Sequence, residues 1–265
     1  CVVLPPDGLG VDQAAQLVRI LRASGFAVLR GGSLFAQAEL AASASALDAL
    51  HARLRCAGAR RCVPNAPWRA ERDGDRFRRG DFSYAEAVSY TAGRLDHHGL
   101  HRAPPFDGPP FRNRTDLLGV CAALARGGPC EQLTAGGLWA YPGVRDTHWH
   151  RDGDATRHHS LFTVVTAVHE LPLDAGPLLV QPSTHSPHGR FGGSASWQAP
   201  LDGEPTAVRV PLRRGESLVF LYTTKHAASP NPTRAVRGLL YSVYGAAGAT
   251  DALNHAPGLP SLLSL

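Results

Sequence analysis

From Gly137 onward the chain breaks into short apolar segments separated by glycine and proline, a texture that fits a β-barrel or β-sandwich. The expected strands are Leu138–Tyr141, Ser160–Glu170, Pro177–Gln181, Thr206–Pro211, Ser217–Tyr222 and Gly238–Tyr244. Val164, Val165 and Thr166 supply β-branched density to the second of them, and Gly215-Glu216 makes a turn between two others. The N-terminal part reads differently. Ala14, Leu17, Val18 and Leu21 recur at helical spacing over residues 11–23, Gly25 stops that helix, and Phe26-Ala-Val-Leu29 follows as a short buried strand before the Gly31-Gly32 turn. A second helix is expected from about Leu34 to Leu54 and a third from Thr115 to Arg126. Residues 63–112, with Pro64, Pro67, Pro104, Pro105, Pro109 and Pro110 among many charges, read as an irregular loop region over one mouth of the core. No internal repeat or linker marks a boundary. One domain over 1–265 is therefore expected: N-terminal helical support to about 135, a β core over about 136–247, and a tail over 248–265.

Composition narrows the function classes. A net charge of +5 invites a nucleic-acid partner, but Lys225 is the only lysine and Ile20 the only isoleucine, so the arginines look like the product of GC-rich coding. They are spread along the chain apart from a cluster between Arg53 and Arg79, which suits a solvated surface better than a polyanion site. No apolar run approaches the length of a membrane span. Five cysteines, an odd number without a C-x2-C pair, argue against a disulfide framework or a zinc ribbon and favour a reducing, intracellular setting. Cys56 and Cys62 flank what reads as an Arg-rich loop and could pair if the protein were secreted. The chain starts at Cys1 and contains no methionine, so a native N-terminus is expected upstream of it.

The chemistry is concentrated in two places. His150-Arg151-Asp152 puts an imidazole and a carboxylate two positions apart at a strand end, so both project from one face. His226 follows another strand, and a barrel brings such distant strand ends to one mouth. Two histidines and one carboxylate leave open coordination positions, which suits non-haem Fe(II) rather than a closed structural site. His148 shares the face of His150 and reads as a pocket residue beside the ligands. Arg237 precedes the last core strand, where a guanidinium can clamp a carboxylate through paired hydrogen bonds; Arg234, in a Pro/Asn turn, is its competitor. His158, His159, His185 and His188 read as loop or surface polarity.

Four segments together carry a resemblance to the phytanoyl-CoA dioxygenase family of Fe(II)/2-oxoglutarate oxygenases. They are Tyr141-Pro-Gly-Val-Arg-Asp-Thr-His-Trp-His-Arg-Asp152, Gly176-Pro-Leu-Leu-Val-Gln-Pro-Ser-Thr-His185, Gly215-Glu-Ser-Leu-Val-Phe220, and His226-Ala-Ala-Ser-Pro-Asn231 followed by Arg237. The resemblance implies a mainly β fold with flanking helices around a double-stranded β-helix (jelly-roll, cupin-like) core. It implies Fe(II) on His150, Asp152 and His226, with 2-oxoglutarate and O2 as co-substrates and Arg237 on the far carboxylate of 2-oxoglutarate. Relatives carry a serine two residues after the distal histidine; here that position is Ala228, so either Ser229 takes the role or Arg237 acts with less help. Trp139 and Tyr141 alternate along one strand face running towards the metal, and Tyr141 is expected at the co-substrate and Trp139 in the pocket wall; ordinary core packing is the other reading of both.

By the same resemblance the reaction is an oxidation, foremost hydroxylation, of a C–H bond in a small organic substrate, with release of succinate and CO2. Asp152 argues against halogenation, which needs that ligand position vacated. Three rivals stand beside this reading: an oxygenase acting on a nucleic-acid base, a non-enzymatic cupin-like binding protein, and a two-histidine zinc hydrolase. The last has no use for Arg237 and lacks a His-Glu-x-x-His helix. Residues 63–112 and 186–205 are the segments expected to cover the mouth of the site.

Overall fold

The computed structural model describes residues 1–5, 8–61, 87–88, 94–100, 104–109, 111–144, 149–153, 160–185 and 206–249. In chain order the elements are β1 (Val2–Val3), α1 (Val11–Ser24), β2 (Phe26–Arg30), α2 (Gln37–Arg61), β3 (Ala87–Val88), β4 (Arg94–His97), α3 (Thr115–Leu124), β5 (Cys130–Ala140), β6 (Phe162–Thr166), β7 (Leu178–Val180), β8 (Val208–Val210), β9 (Ser217–Leu221), β10 (His226–Ala228) and β11 (Arg237–Ala246). The strands form two sheets. One has the order β1-β2-β9-β6-β11-β5-β4-β3 and the other β10-β7-β8. This is the jelly-roll arrangement of a double-stranded β-helix, with helices on the outside. Among the described residues no helix is long and apolar enough to cross a membrane.

Alternation along the strands sorts side chains into two layers. Val165 of β6, Leu218 and Phe220 of β9, and Leu239, Tyr241 and Val243 of β11 face inward, where they share a core with Leu178 and Val180 of β7 and Val210 of β8. Val164, Val219, Leu240 and Trp139 face outward and pack with Leu17 and Leu21 of α1, Leu40 and Leu47 of α2, and Leu117 and Val120 of α3. Helix α1 ends where Gly25 takes a left-handed φ of 83° and donates its N–H to Leu21 O.

Several boundaries differ from the sequence reading, each for a physical reason. Strand β5 begins at Cys130, well before Leu138, and its Gly136-Gly137 pair runs through the strand rather than opening it. A Cβ on Gly136 would collide with His97 O and the Tyr241 ring, so the glycines make room for neighbours and do not mark a turn. Segment 63–112 is not irregular throughout. Arg94–His97 pairs antiparallel with β5, Arg94 opposite Ala140 and His97 opposite Gly137, and Ala87–Val88 pairs in turn with β4. Its strand character comes from the partner, since Arg-Leu-Asp-His has little intrinsic preference for it. Helix α2 starts three residues later than expected and continues to Arg61, so Cys56 lies in a helix and not at the edge of a loop. Strand β6 is shorter than Ser160–Glu170 and β11 extends to Ala246. His226 itself lies in a strand, β10, rather than after one. Residues 186–205 and His148, His158, His159 and His188 lie outside the described residues.

Candidate metal centre and co-substrate pocket

His150 and His226 face each other across a single antiparallel bridge, each N–H donating to the other's carbonyl at 2.9 Å. Two residues further on, the N–H of Asp152 donates to Tyr222 O at 3.0 Å, which returns the carboxylate to the same side as the His150 ring. The result is a tight cluster. Nε2 of His150 lies 3.4 Å and Nε2 of His226 3.5 Å from Asp152 Oδ1, and the three ligand atoms all fall within 4.8 Å of one another. Two imidazoles and one carboxylate converging on one point form the donor set that non-haem Fe(II) takes with positions left open, so these residues fit that ion.

The surroundings prepare the ligands. Nδ1 of His226 lies 3.0 Å from Thr224 O; an N–H donated there leaves the Nε2 lone pair facing Asp152. Thr163 Oγ1, 3.4 Å from Asp152 Oδ2, steadies the second carboxylate oxygen, and the Phe220 ring packs 4.4 Å from that of His226. Burial drives the His226 imidazole down to about 4, against the opposing pull of Asp152. For Asp152, burial pushes upward but is outweighed by His226, His150 and Arg94, which hold the carboxyl at about 2. Both shifts give the same state at neutral pH: a neutral His226 and an ionised Asp152, as a metal requires.

Arg237 starts β11 directly opposite Ala140 of β5. Its guanidinium reaches across the barrel, where Nη1 donates to Gly176 O, with Ala175 O and Ser229 O each 3.4 Å away. Gly176 has a φ of 76°, and a Cβ there would strike Pro230 O and crowd Arg237 Nη1, so only glycine lets the guanidinium in. Burial, then the nearby Arg94, lowers Arg237 to about 10, which leaves it cationic at neutral pH. Arg234, by contrast, is exposed. Ser229 is buried beside Arg237, and its Oγ has no protein partner among the described residues, while Ala228 packs into the inner apolar core.

Two expected pocket residues sit elsewhere. Trp139 lies opposite Gly238 and Leu95, on the outward face of β5, and Tyr141 belongs to the same helix-side core. The Trp139 ring stacks on His51 of α2 at 5.0 Å, and the Tyr141 hydroxyl lies 2.5 Å from His51 Nε2. The alternation that links the two residues is real, but it runs along the side covered by helix α2. His185 serves a structural contact, its Nε2 3.1 Å from Arg22 O.

Sequence reasoning missed Arg94 and Asp96. They lie on the inward face of β4, with Arg94 opposite Ala140 and so in the same row as Arg237. Arg94 Nε and Asp96 Oδ1 pair at 3.1 Å, and the Arg94 charge acts on Asp152, His226 and Arg237. Burial, opposed chiefly by Arg94, raises the Asp96 carboxyl. The signal was present in the sequence: Arg94-Leu-Asp96 repeats the two-residue spacing of His150-Arg-Asp152.

The sequence model of the phytanoyl-CoA dioxygenase (PhyH) family matches residues 21–239. No curated protein matches the chain by sequence. Among solved structures, the epimerase SnoN in complex with Fe3+, alpha ketoglutarate and nogalamycin RO is 17% identical, with a TM-score of 0.64 over 94% of this chain and 92% of that one. The alpha ketoglutarate dependent carbocyclase SnoK from nogalamycin biosynthesis is 16% identical, with a TM-score of 0.55 over 93% of this chain and 91% of its own. AviO1 from Streptomyces viridochromogenes Tue57 is 20% identical, with a TM-score of 0.53 over 93% and 98%. At these identities the likeness is one of fold.

Proposed function

The chain belongs to the phytanoyl-CoA dioxygenase family of Fe(II)- and 2-oxoglutarate-dependent oxygenases, and from that premise we propose that it hydroxylates a C–H bond of a small organic substrate through iron held by His150, Asp152 and His226. The observation that carries this reading is the convergence of those three ligand atoms within 4.8 Å of one another. Bound Fe(II) supplies the oxidative decarboxylation of 2-oxoglutarate by O2, giving succinate and CO2 and coupling the reaction to substrate oxidation.

The chain's own residues do the rest. Asp152 is ionised and cancels one of the two charges of the ion, leaving an electropositive site for a dianion. His226 is neutral, its lone pair presented by the carbonyl of Thr224. Arg237, anchored on the carbonyls of Gly176, Ala175 and Ser229, offers a cation to the far carboxylate of 2-oxoglutarate, and the unpaired Ser229 Oγ is a second donor to it. The apolar inner core formed by Val165, Leu218, Phe220 and Tyr241 limits water on the barrel side. Retention of the carboxylate ligand supports hydroxylation over halogenation.

The test is succinate formation from 2-oxoglutarate, dependent on added Fe(II) and stimulated by members of a metabolite library, with products analysed by mass. An added oxygen atom supports hydroxylation. Loss of two hydrogens or an unchanged mass would replace it with desaturation, cyclisation or epimerisation, and iron-independent succinate release would remove the oxygenase reading altogether.

A further inference from the structure

We infer that Arg151, the residue between two of the ligands, is a positioning residue that sets the mutual placement of His150, Asp152 and His226. The inference rests on the metal-centre reading above and goes beyond it. The segment carrying His150 and Asp152 is not a strand of a continuous ladder. Among the described residues its backbone is held by the single His150–His226 bridge and by the Asp152 and Gly153 N–H groups, which both donate to Tyr222 O at 3.0 and 3.2 Å. A slip of one residue there would turn both ligands away from the site.

Arg151 adds a lock of a different kind. Because it alternates with its neighbours, its side chain leaves from the opposite side of the segment. Its Nε donates to Thr223 O at 2.9 Å and its Nη2 to Thr184 O at 3.2 Å. Thr223 lies three residues before His226, and Thr184 lies in the turn after β7, the strand that pairs with β10. The two acceptor segments are themselves joined. Lys225 N–H donates to Thr184 Oγ1 at 2.9 Å, Thr184 Oγ1 donates to Gln181 O at 2.8 Å, and Thr223 Oγ1 donates to His185 O at 3.0 Å. One guanidinium therefore ties the first ligand segment to the two segments that place the third ligand. A fixed planar fork is pre-organised to hold two carbonyls at once; an ammonium on a flexible stem is a point charge without that geometry.

The experiment measures equilibrium binding of Mn(II) to the metal-free protein, with Co(II) absorption as a report on coordination geometry and thermal unfolding of the metal-free form as a control. Wild type, Arg151→Met, Arg151→Lys and His226→Ala are compared. Arg151→Met is expected to weaken Mn(II) binding by about 10- to 100-fold, as loss of outer partners of metal ligands does, and to alter the Co(II) spectrum. Arg151→Lys should recover part of the affinity, and it carries the test if the methionine variant does not fold. Wild-type affinity and spectrum in Arg151→Met, or in Arg151→Lys where that variant stands in, overturns the inference, as does a loss of unfolding temperature with metal affinity unchanged. Equal Mn(II) binding by wild type and His226→Ala would instead overturn the metal-centre reading itself.

Discussion

The two faces of strand β5 and its neighbours carry opposite kinds of chemistry. On the outward face Leu95, Trp139 and Leu240 pack on the helices, and His51 and Tyr141 meet there at short range. On the inward face, along the same strands, Arg94, Asp96 and Arg237 gather close to His150, Asp152 and His226. Burial opposes the charged form of Arg237, Asp96 and His226 alike. The outward face spends its residues on cohesion, and the inward face accepts desolvated charge that pays only when something binds. Mutations on the two faces should therefore separate cleanly into losses of stability and losses of function.

The largest effect tests the inward face. His226→Ala or Asp152→Ala should reduce Fe(II)-dependent succinate formation by more than about 100-fold while the far-UV circular dichroism stays that of wild type. Near-normal turnover in either variant would break the contrast at its centre.

On the outward face Trp139→Ala should cost about 3–5 kcal/mol of unfolding free energy by chemical denaturation, because a fully buried indole and its stack on His51 are lost. The 2-oxoglutarate affinity of the folded fraction should not change. If that affinity fell with stability intact, the pocket would extend through the strand to the helix side.

Arg237→Ala is expected to raise the KM for 2-oxoglutarate by about 10- to 100-fold, the worth of a charge-assisted hydrogen-bond pair. Arg234→Ala, at an exposed position, serves as the paired control and should leave KM within error. A reversed order between the two would reassign the clamp.

The pH dependence is the next effect down. His226 titrates near 4 when folded and near 6.5 when free, so between those values the unfolded chain binds the extra proton. Stability of the metal-free protein should hold above pH 6.5 and fall as pH drops from 6.5 towards 4. His226→Asn should flatten that slope, which denaturation series at several pH values will reveal. The smallest effect is again outward: Tyr141→Phe strips His51 of a buried partner and should cost about 1–2 kcal/mol without touching KM.

Much of this organisation was legible in residues. Helix α1 and strand β2 announced themselves through spacing and through Gly25, whose left-handed φ no other residue adopts so readily. His150 and Asp152 were readable because a two-residue step keeps both on one face. What alternation cannot supply is the sign. It groups Trp139 with Tyr141 and Arg237 with Leu239, yet only pairing with helices or with a second sheet decides which group turns inward. Arg94 and Asp96 were passed over for another reason: their two-residue spacing is visible, but the strand that gives it meaning exists because β5 lies beside it, and four charged and apolar letters do not announce that partner. The start of β5 before Leu138 stayed hidden in the same way, since a glycine required for close approach, as Gly136 is to Tyr241, carries no strand signal of its own.

The His150–His226 bridge has a further consequence. A segment joined to β10 by one bridging pair, with two N–H groups shared on Tyr222 O beyond it, forms a seam that thermal motion can part, and an ion gripped from both sides would act as a rivet across it. Loading with metal should then slow amide exchange at His150, Asp152 and His226 first and raise the melting temperature with the logarithm of free ion concentration once that exceeds the dissociation constant. The centre proposed for the chemistry would also be the fastener that holds the two ligand-bearing segments together.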